Sequence, residues 1–119
     1  MRSNFLWIVI AAVVITLIFF QDLLTTRDIT NSDFVGAALV DVRTPEEYQG
    51  DGLPNAYNFP LQTLQQDVHR LEKVVGGKNR KIIIYCEIGT RCRYAITILE
   101  KNNFTNVLNM GAISNYPLR

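Results

Sequence analysis

Residues 81–92 read Lys81-Ile82-Ile83-Ile84-Tyr85-Cys86-Glu87-Ile88-Gly89-Thr90-Arg91-Cys92. Residues 81–85 are a continuous, β-branched apolar run, the pattern of a strand buried on both faces of a parallel sheet. Residues 86–90 form a short loop containing a glycine. Residues 91–101 then carry Ala95, Ile96, Ile98 and Leu99 at helical spacing, facing inward. A strand that passes through a tight loop into a helix is half of a βαβ unit, and the rest of the chain repeats that grammar.

Upstream, residues 37–42 (AALVDV) are a second short apolar run. Thr44 is placed to cap a following helix, with Pro45 at its first position and Glu47 three residues on in capping-box register. Gly50, Asp51, Gly52 and Pro54 end that helix in a turn, and residues 56–59 are a brief strand closed by Pro60. Leu61, Leu64, Val68, Leu71, Val74 and Val75 recur at three- and four-residue steps, which predicts one amphipathic helix over 61–75 stopped by Gly76-Gly77. Residues 107–109 supply a last strand. The expected fold is a small α/β domain with a mostly parallel central sheet flanked by helices.

The whole chain is 119 residues, enough for one such domain. Residues 5–20 (FLWIVIAAVVITLIFF) carry no charge. As a helix they would span about 24 Å, a little short of the roughly 30 Å hydrocarbon core of a bilayer. No small-x-small cleavage pattern follows, so a signal anchor is expected rather than a cleaved signal peptide or a core helix. The implied organisation is a signal anchor or transmembrane helix over 1–24, a tether over 25–36 and the domain over 37–119. With Arg2 beside a very short N-terminus, the domain is expected on the periplasmic side of a bacterial inner membrane, or free in the periplasm if the segment is removed.

Arg2 is the only charge in residues 1–20, so the remainder holds 11 basic and 11 acidic residues. A chain balanced in this way has no long-range field to gather nucleic acid, and none is expected as a partner. Two cysteines are too few for a disulfide framework or a four-ligand zinc site, and neither a metal nor another cofactor is implied.

In an open α/β sheet, ligands bind beyond the carboxyl ends of the strands, and Cys86 closes the 81–85 strand at that edge. Backbone N–H groups of a glycine-containing loop, together with the N-terminus of the next helix, make an anion site and lower a thiol pKa. Arg91 is expected to add a fixed positive charge. The competing reading of Cys86 is a buried structural thiol. His69, between apolar positions of the predicted helix, reads as a surface or boundary residue.

Three motifs then add a resemblance. Cys86-Glu87-Ile88-Gly89-Thr90-Arg91 resembles the active-site loop of rhodanese-like domains. Leu39-Val40-Asp41-Val42-Arg43 with Pro45-Glu46-Glu47-Tyr48 resembles the first signature of that family, and Leu53-Pro54-Asn55-Ala56-Tyr57-Asn58-Phe59-Pro60 resembles its second element. They occur in the family's order over about residues 37–111. The short C-terminal end is similar to the compact, exported phage shock protein E type, a group of single-domain thiosulfate sulfurtransferases.

The resemblance implies a persulfide cycle. Cys86 would be the nucleophile, and Glu87, Ile88, Gly89, Thr90, Arg91 and Cys92 would form the substrate loop. The implied donor is thiosulfate, and the acceptor cyanide or a thiol. Asp41 and Arg43 match the family's Asp-x-Arg and are expected to be structural, tying the strand end to the next helix near Glu46 or Glu47. Where the family usually has Gly-His-Ile-Pro-Gly, this chain has Asp51-Gly52-Leu53-Pro54-Asn55, which alters local turn geometry. Cys92 stands where serine is common, and two roles stay open: a small residue capping the helix, or a thiol able to resolve the persulfide as a disulfide.

The rival classes are weaker. Cysteine phosphatases and arsenate reductases place arginine six residues after the cysteine, where this chain has Cys92. Thiol-disulfide oxidoreductases carry Cys-x-x-Cys. A membrane-tethered persulfide carrier or a rhodanese-fold binding module remains the alternative to an enzyme.

Overall fold

The computed structural model describes residues 2–24 and 29–118. In chain order the elements are α1 (Arg2–Leu24), β1 (Ala38–Asp41), α2 (Pro45–Asp51), β2 (Tyr57–Asn58), α3 (Leu61–Gln66), α4 (Val68–Val75), β3 (Ile82–Cys86), α5 (Thr90–Lys101) and β4 (Val107–Ala112). Short 3-10 turns at Asn31–Phe34 and Ile113–Asn115 complete the described chain. The four strands form one parallel sheet in the order β2-β1-β3-β4. β3, the isoleucine run, lies inside that sheet and is buried along its whole length, as its lack of alternation predicts.

Side chains alternate across the sheet and divide the core in two. Ala38, Val40, Val42, Ile82, Ile84 and Cys86 face the helical layer, where Leu64, Leu71, Val75, Cys92, Ala95 and Leu99 meet them. Leu39, Ile83 and Tyr85 face the opposite side, against Leu53, Ala56, Met110 and Ile113. Ile29 and Phe34, from the stretch expected to be a tether, pack on this second cluster, with the Phe34 ring edge-on to Tyr116.

α2 starts as its sequence dictates. The Thr44 hydroxyl accepts from the Glu47 backbone N–H at 3.3 Å, and a Glu47 carboxylate oxygen accepts from the Thr44 N–H at 3.4 Å. Its end needs Gly52, because a Cβ there would collide with the Tyr48 ring and carbonyl.

The helix expected over 61–75 is two helices, not one. Asp67 takes an extended φ of −153° and its carboxylate accepts from the Arg70 N–H at 3.3 Å, so it ends α3 and caps α4. A side chain able to cap locally competes with helical continuation, and the apolar period does not register the break. His69 lies on the exposed side of α4 beside Glu72.

Side chains of α1 are described over residues 4–18, and all of them are exposed. The expectation of a spanning helix over residues 5–20 is not met by this part. Among the described residues, no helix is long and apolar enough to cross a membrane.

Candidate active site

β3 carries Cys86 to the carboxyl edge of the sheet as its last residue. Three loop residues follow before α5 begins at Thr90. Gly89 makes the turn at φ +102°, a conformation costly for residues with a Cβ. The turn brings the Gly89 N–H to within 3.0 Å of the Cys86 sulfur. The backbone N–H groups of Cys92 and Arg91 also favour its charged form. The Cys92 thiol, in the first turn of α5, donates to the same sulfur at 3.0 Å. Neither sulfur is in a disulfide, and both lie in a nearly solvent-free setting, Cys86 being 1% and Cys92 0% exposed.

These donors act on the titration of Cys86. The Cys92 hydrogen bond is the largest influence, burial opposes it, and the backbone donors add to it; together they draw the Cys86 pKa down to about 6. Near neutral pH the sulfur is therefore mainly thiolate. Cys92 moves the other way, because its proton is held by the Cys86 thiolate and its own burial disfavours charge. The pair shares one proton, and Cys92 keeps it.

β4 closes one side. A register irregularity between Ile84 and Tyr85 lets Asn109 pair with Ile84 and Gly111 with Tyr85, skipping Met110. Gly111, at φ +75°, comes beside Gly89, and its carbonyl lies 3.6 Å from the Cys92 sulfur.

The other face of the edge is ionic. Arg43 is buried and its Nε donates to both Asp41 carboxylate oxygens at 3.1 Å, with Nη2 at 2.9 Å. Its Nη1 reaches Asp51 and Glu87, each at 2.8 Å. Burial would lower the guanidinium pKa, but its hydrogen bonds to the Asp41, Asp51 and Glu87 carboxylates outweigh it and raise it. The Tyr85 ring lies 5.7 Å from the guanidinium carbon, and its hydroxyl accepts from the Leu53 N–H at 3.0 Å. This network corrects the expected link from Arg43 to Glu46 or Glu47: Arg43 instead reaches the far end of α2 at Asp51 and crosses to the loop at Glu87. Asp51 and Glu87 protrude from the turn and the loop toward one buried cation, and that geometry selects them.

Glu47 pairs with Arg91, with contacts of 2.6 and 2.9 Å. The Arg91 hydrogen bond pulls the Glu47 carboxyl down to about 2, and the same bond raises the Arg91 pKa. Arg91 is therefore not the unopposed positive charge that the sequence suggested, since a carboxylate already occupies its fork.

Of the six residues expected to form the substrate loop, Gly89, Arg91 and Cys92 bring donors to Cys86. Glu87 is turned to Arg43, Ile88 is 80% exposed, and Thr90 is exposed as the first residue of α5. Asp51 and Gly111 are the site residues that sequence reasoning missed, and Glu47, expected near Arg43, pairs with Arg91 instead. Glu47 and Asp51 carried only local signals, a capping box and a turn, and their partners lie 44 and 8 residues away. Among the described residues, no cluster of three or more His, Cys, Asp or Glu side chains is placed to hold a metal.

A family-wide profile of the rhodanese-like domain matches residues 22–116. Thiosulfate sulfurtransferase PspE of Escherichia coli K12 is 32% identical over 80 residues, covering 67% of this chain and 74% of that protein. The tRNA uridine(34) hydroxylase of Buchnera aphidicola is 33% identical over 96 residues, 78% of this chain; the chain spans only 31% of that protein's length. Among solved structures, a rhodanese with anions from E. coli superposes with a TM-score of 0.61 at 31% identity, covering 68% of this chain and 92% of that one.

Proposed function

The chain belongs to the rhodanese-like domain family, and from that premise we propose that it is a sulfurtransferase of the thiosulfate type working through a persulfide on Cys86. The observation that carries this reading is the sulfur itself. Cys86 ends a buried strand, receives the Gly89 N–H and the Cys92 thiol at 3.0 Å each, and is held near a pKa of 6. A structural cysteine has no use for donors that favour its thiolate. The relatives support sulfur transfer, one of them being named a thiosulfate sulfurtransferase and another having been solved with anions.

The Cys86 thiolate attacks the outer sulfur of thiosulfate, the sulfur–sulfur bond breaks, and sulfite leaves with the electron pair. No general base is needed, because the nucleophile is already ionised. The N–H groups of Gly89, Arg91 and Cys92 then face the sulfur chain on Cys86 and stabilise negative charge there without moving. A thiophilic acceptor, cyanide or a thiol, takes the outer sulfur and restores the thiolate. The two arginines are already matched by carboxylates, so recognition of the donor anion rests on backbone dipoles more than on free cations.

We also propose, from the sequence, that the segment over residues 5–20 holds this domain at the bacterial inner membrane, with the domain on the periplasmic side. Its supports are the uncharged run over residues 5–20 and the exposure of Phe5, Trp7, Ile8 and Val13, apolar side chains that water does not favour. Extraction of membranes at high pH, followed by protease treatment of spheroplasts, tests both points; release by the wash or protection from protease refutes them.

The enzymatic reading is tested with the full chain in detergent, given thiosulfate and then cyanide, beside Cys86→Ser. Release of sulfite and continuing thiocyanate formation, both absent from the variant, support it. A sulfur adduct without turnover favours a persulfide carrier, and absence of both sulfite release and an adduct on freshly reduced protein refutes chemistry at Cys86.

A further inference from the structure

Resting on the persulfide just proposed, we infer a further activity: Cys92 resolves that persulfide from within the fold, so the domain discharges its sulfur as sulfide and ends as a Cys86–Cys92 disulfide that a dithiol reopens. The geometry is the ground for this. The two sulfurs lie 3.0 Å apart, one at the end of β3 and the other in the first turn of α5. A disulfide bond is roughly 2.05 Å, so bond formation asks for an approach of only about 1 Å. Cys92 is fully buried, and its sulfur also lies 3.6 Å from the Gly111 carbonyl. An external thiol must diffuse to a sulfur that is 1% exposed, whereas Cys92 already touches it.

The step balances within the chain. Cys86 carries the outer sulfur as an ionised persulfide, and the Cys92 sulfur attacks the Cys86 sulfur. The bond from Cys86 to the outer sulfur breaks, and its electron pair leaves with that sulfur. The Cys92 proton goes with it, giving hydrosulfide. The sulfane sulfur is reduced to sulfide, and the two cysteines supply the two electrons and become the disulfide. A dithiol then returns both cysteines to thiols and is itself oxidised to a disulfide.

Loading also sets the order of events. Before loading, the Cys86 thiolate holds the Cys92 proton in place. Once the Cys86 sulfur bridges to a second sulfur, the negative charge sits one atom further out. The main influence that kept Cys92 protonated is then gone, and the resolving sulfur is released only after there is something to resolve.

The test is a single turnover without oxygen. The reduced full chain in detergent, freed of reductant, receives thiosulfate, and sulfite, sulfide and intact protein mass are followed together. The expected result for the wild type is sulfide released in step with sulfite and a protein lighter than its reduced form by two hydrogens, with the same protein unchanged when thiosulfate is left out. Cys92→Ser is expected to release sulfite, keep the mass of one sulfur and yield no sulfide. Cys92→Ala repeats the comparison in case serine alters the fold. A wild type that keeps its sulfur and gives no sulfide until a thiol is added overturns the inference while leaving the persulfide intact. Absence of both sulfite and adduct from every protein overturns the persulfide and the inference with it.

Discussion

Tyr85 and Cys86 are neighbours on one strand, yet they point into opposite chemistries at the same edge of the sheet. On the Tyr85 side, full charges have satisfied one another: Arg43 holds Asp41, Asp51 and Glu87, and it is the buried centre of the group. On the Cys86 side, among the described residues, no side chain of opposite charge touches the sulfur; what surrounds it is the Gly89 N–H, the first turn of α5 and the Cys92 thiol. The difference shows how the loop is built. Ion pairs fix where the loop lies, and fixed dipoles set the reactivity of the group within it. Here fixed dipoles, rather than a contacting cation, favour the charged sulfur and leave it able to attack.

The sharpest way to break the comparison is at the sulfur. Cys86→Ser is expected to lower thiocyanate formation by roughly 10³-fold or more, since a serine hydroxyl is not ionised by the same donors. Appreciable residual turnover would place the chemistry elsewhere.

On the ionic side the effect should be on stability. Arg43→Met leaves Asp41 buried without its cation, a loss of about 3–5 kcal/mol for breaking a buried pair from one end. Denaturant unfolding measures it. A variant as stable as the wild type would mean that the network does not hold the loop.

Cys92→Val removes the strongest donor to Cys86 and keeps an apolar side chain of similar bulk. The Cys86 pKa should climb from about 6 toward its ordinary range. Alkylation by iodoacetamide at neutral pH should then slow by about tenfold, the pH midpoint moving up with it. An unchanged midpoint would assign the lowered pKa to the backbone alone.

The smallest effect belongs to Glu47. Its pKa in the folded chain, about 2, lies below that of the unfolded chain. The stabilisation is therefore complete above the ordinary carboxylate range and is lost as pH falls toward 2. Glu47→Gln should be less stable by about 1 kcal/mol or less at neutral pH, as for a partly exposed pair. The gap from the wild type should close in acid, as thermal unfolding across that range would show. A gap that widens in acid would reverse the assigned sign.

Much of this was legible along the chain. The isoleucine run announced β3, Thr44 with Glu47 announced the start of α2, and the loop after the strand announced where a nucleophile would sit. Each is a short-range pattern that backbone geometry and capping chemistry impose directly. Residue pairs far apart in sequence were not legible. Glu47 declares itself a cap, and only folding brings Arg91 to it from α5. Arg43 was expected near α2's beginning, but its guanidinium lies buried where Asp51 and Glu87 converge. Asp67 broke a helix that the apolar period had made continuous, because hydrophobic spacing records which face is buried and not whether the backbone between is helical.

The sequence by itself determined a parallel α/β domain with a cysteine at the carboxyl edge of its sheet, since strand burial, caps and glycine turns are written within a few residues of where they act. Only the tertiary structure decided what surrounds that cysteine. That β3, the Gly89 turn and α5 bring Cys92 to 3.0 Å from Cys86, and that both arginines are already paired, depends on how separate elements pack. Electrostatic effects of that kind fall off over a few ångströms, so a distance along the chain carries little information about them.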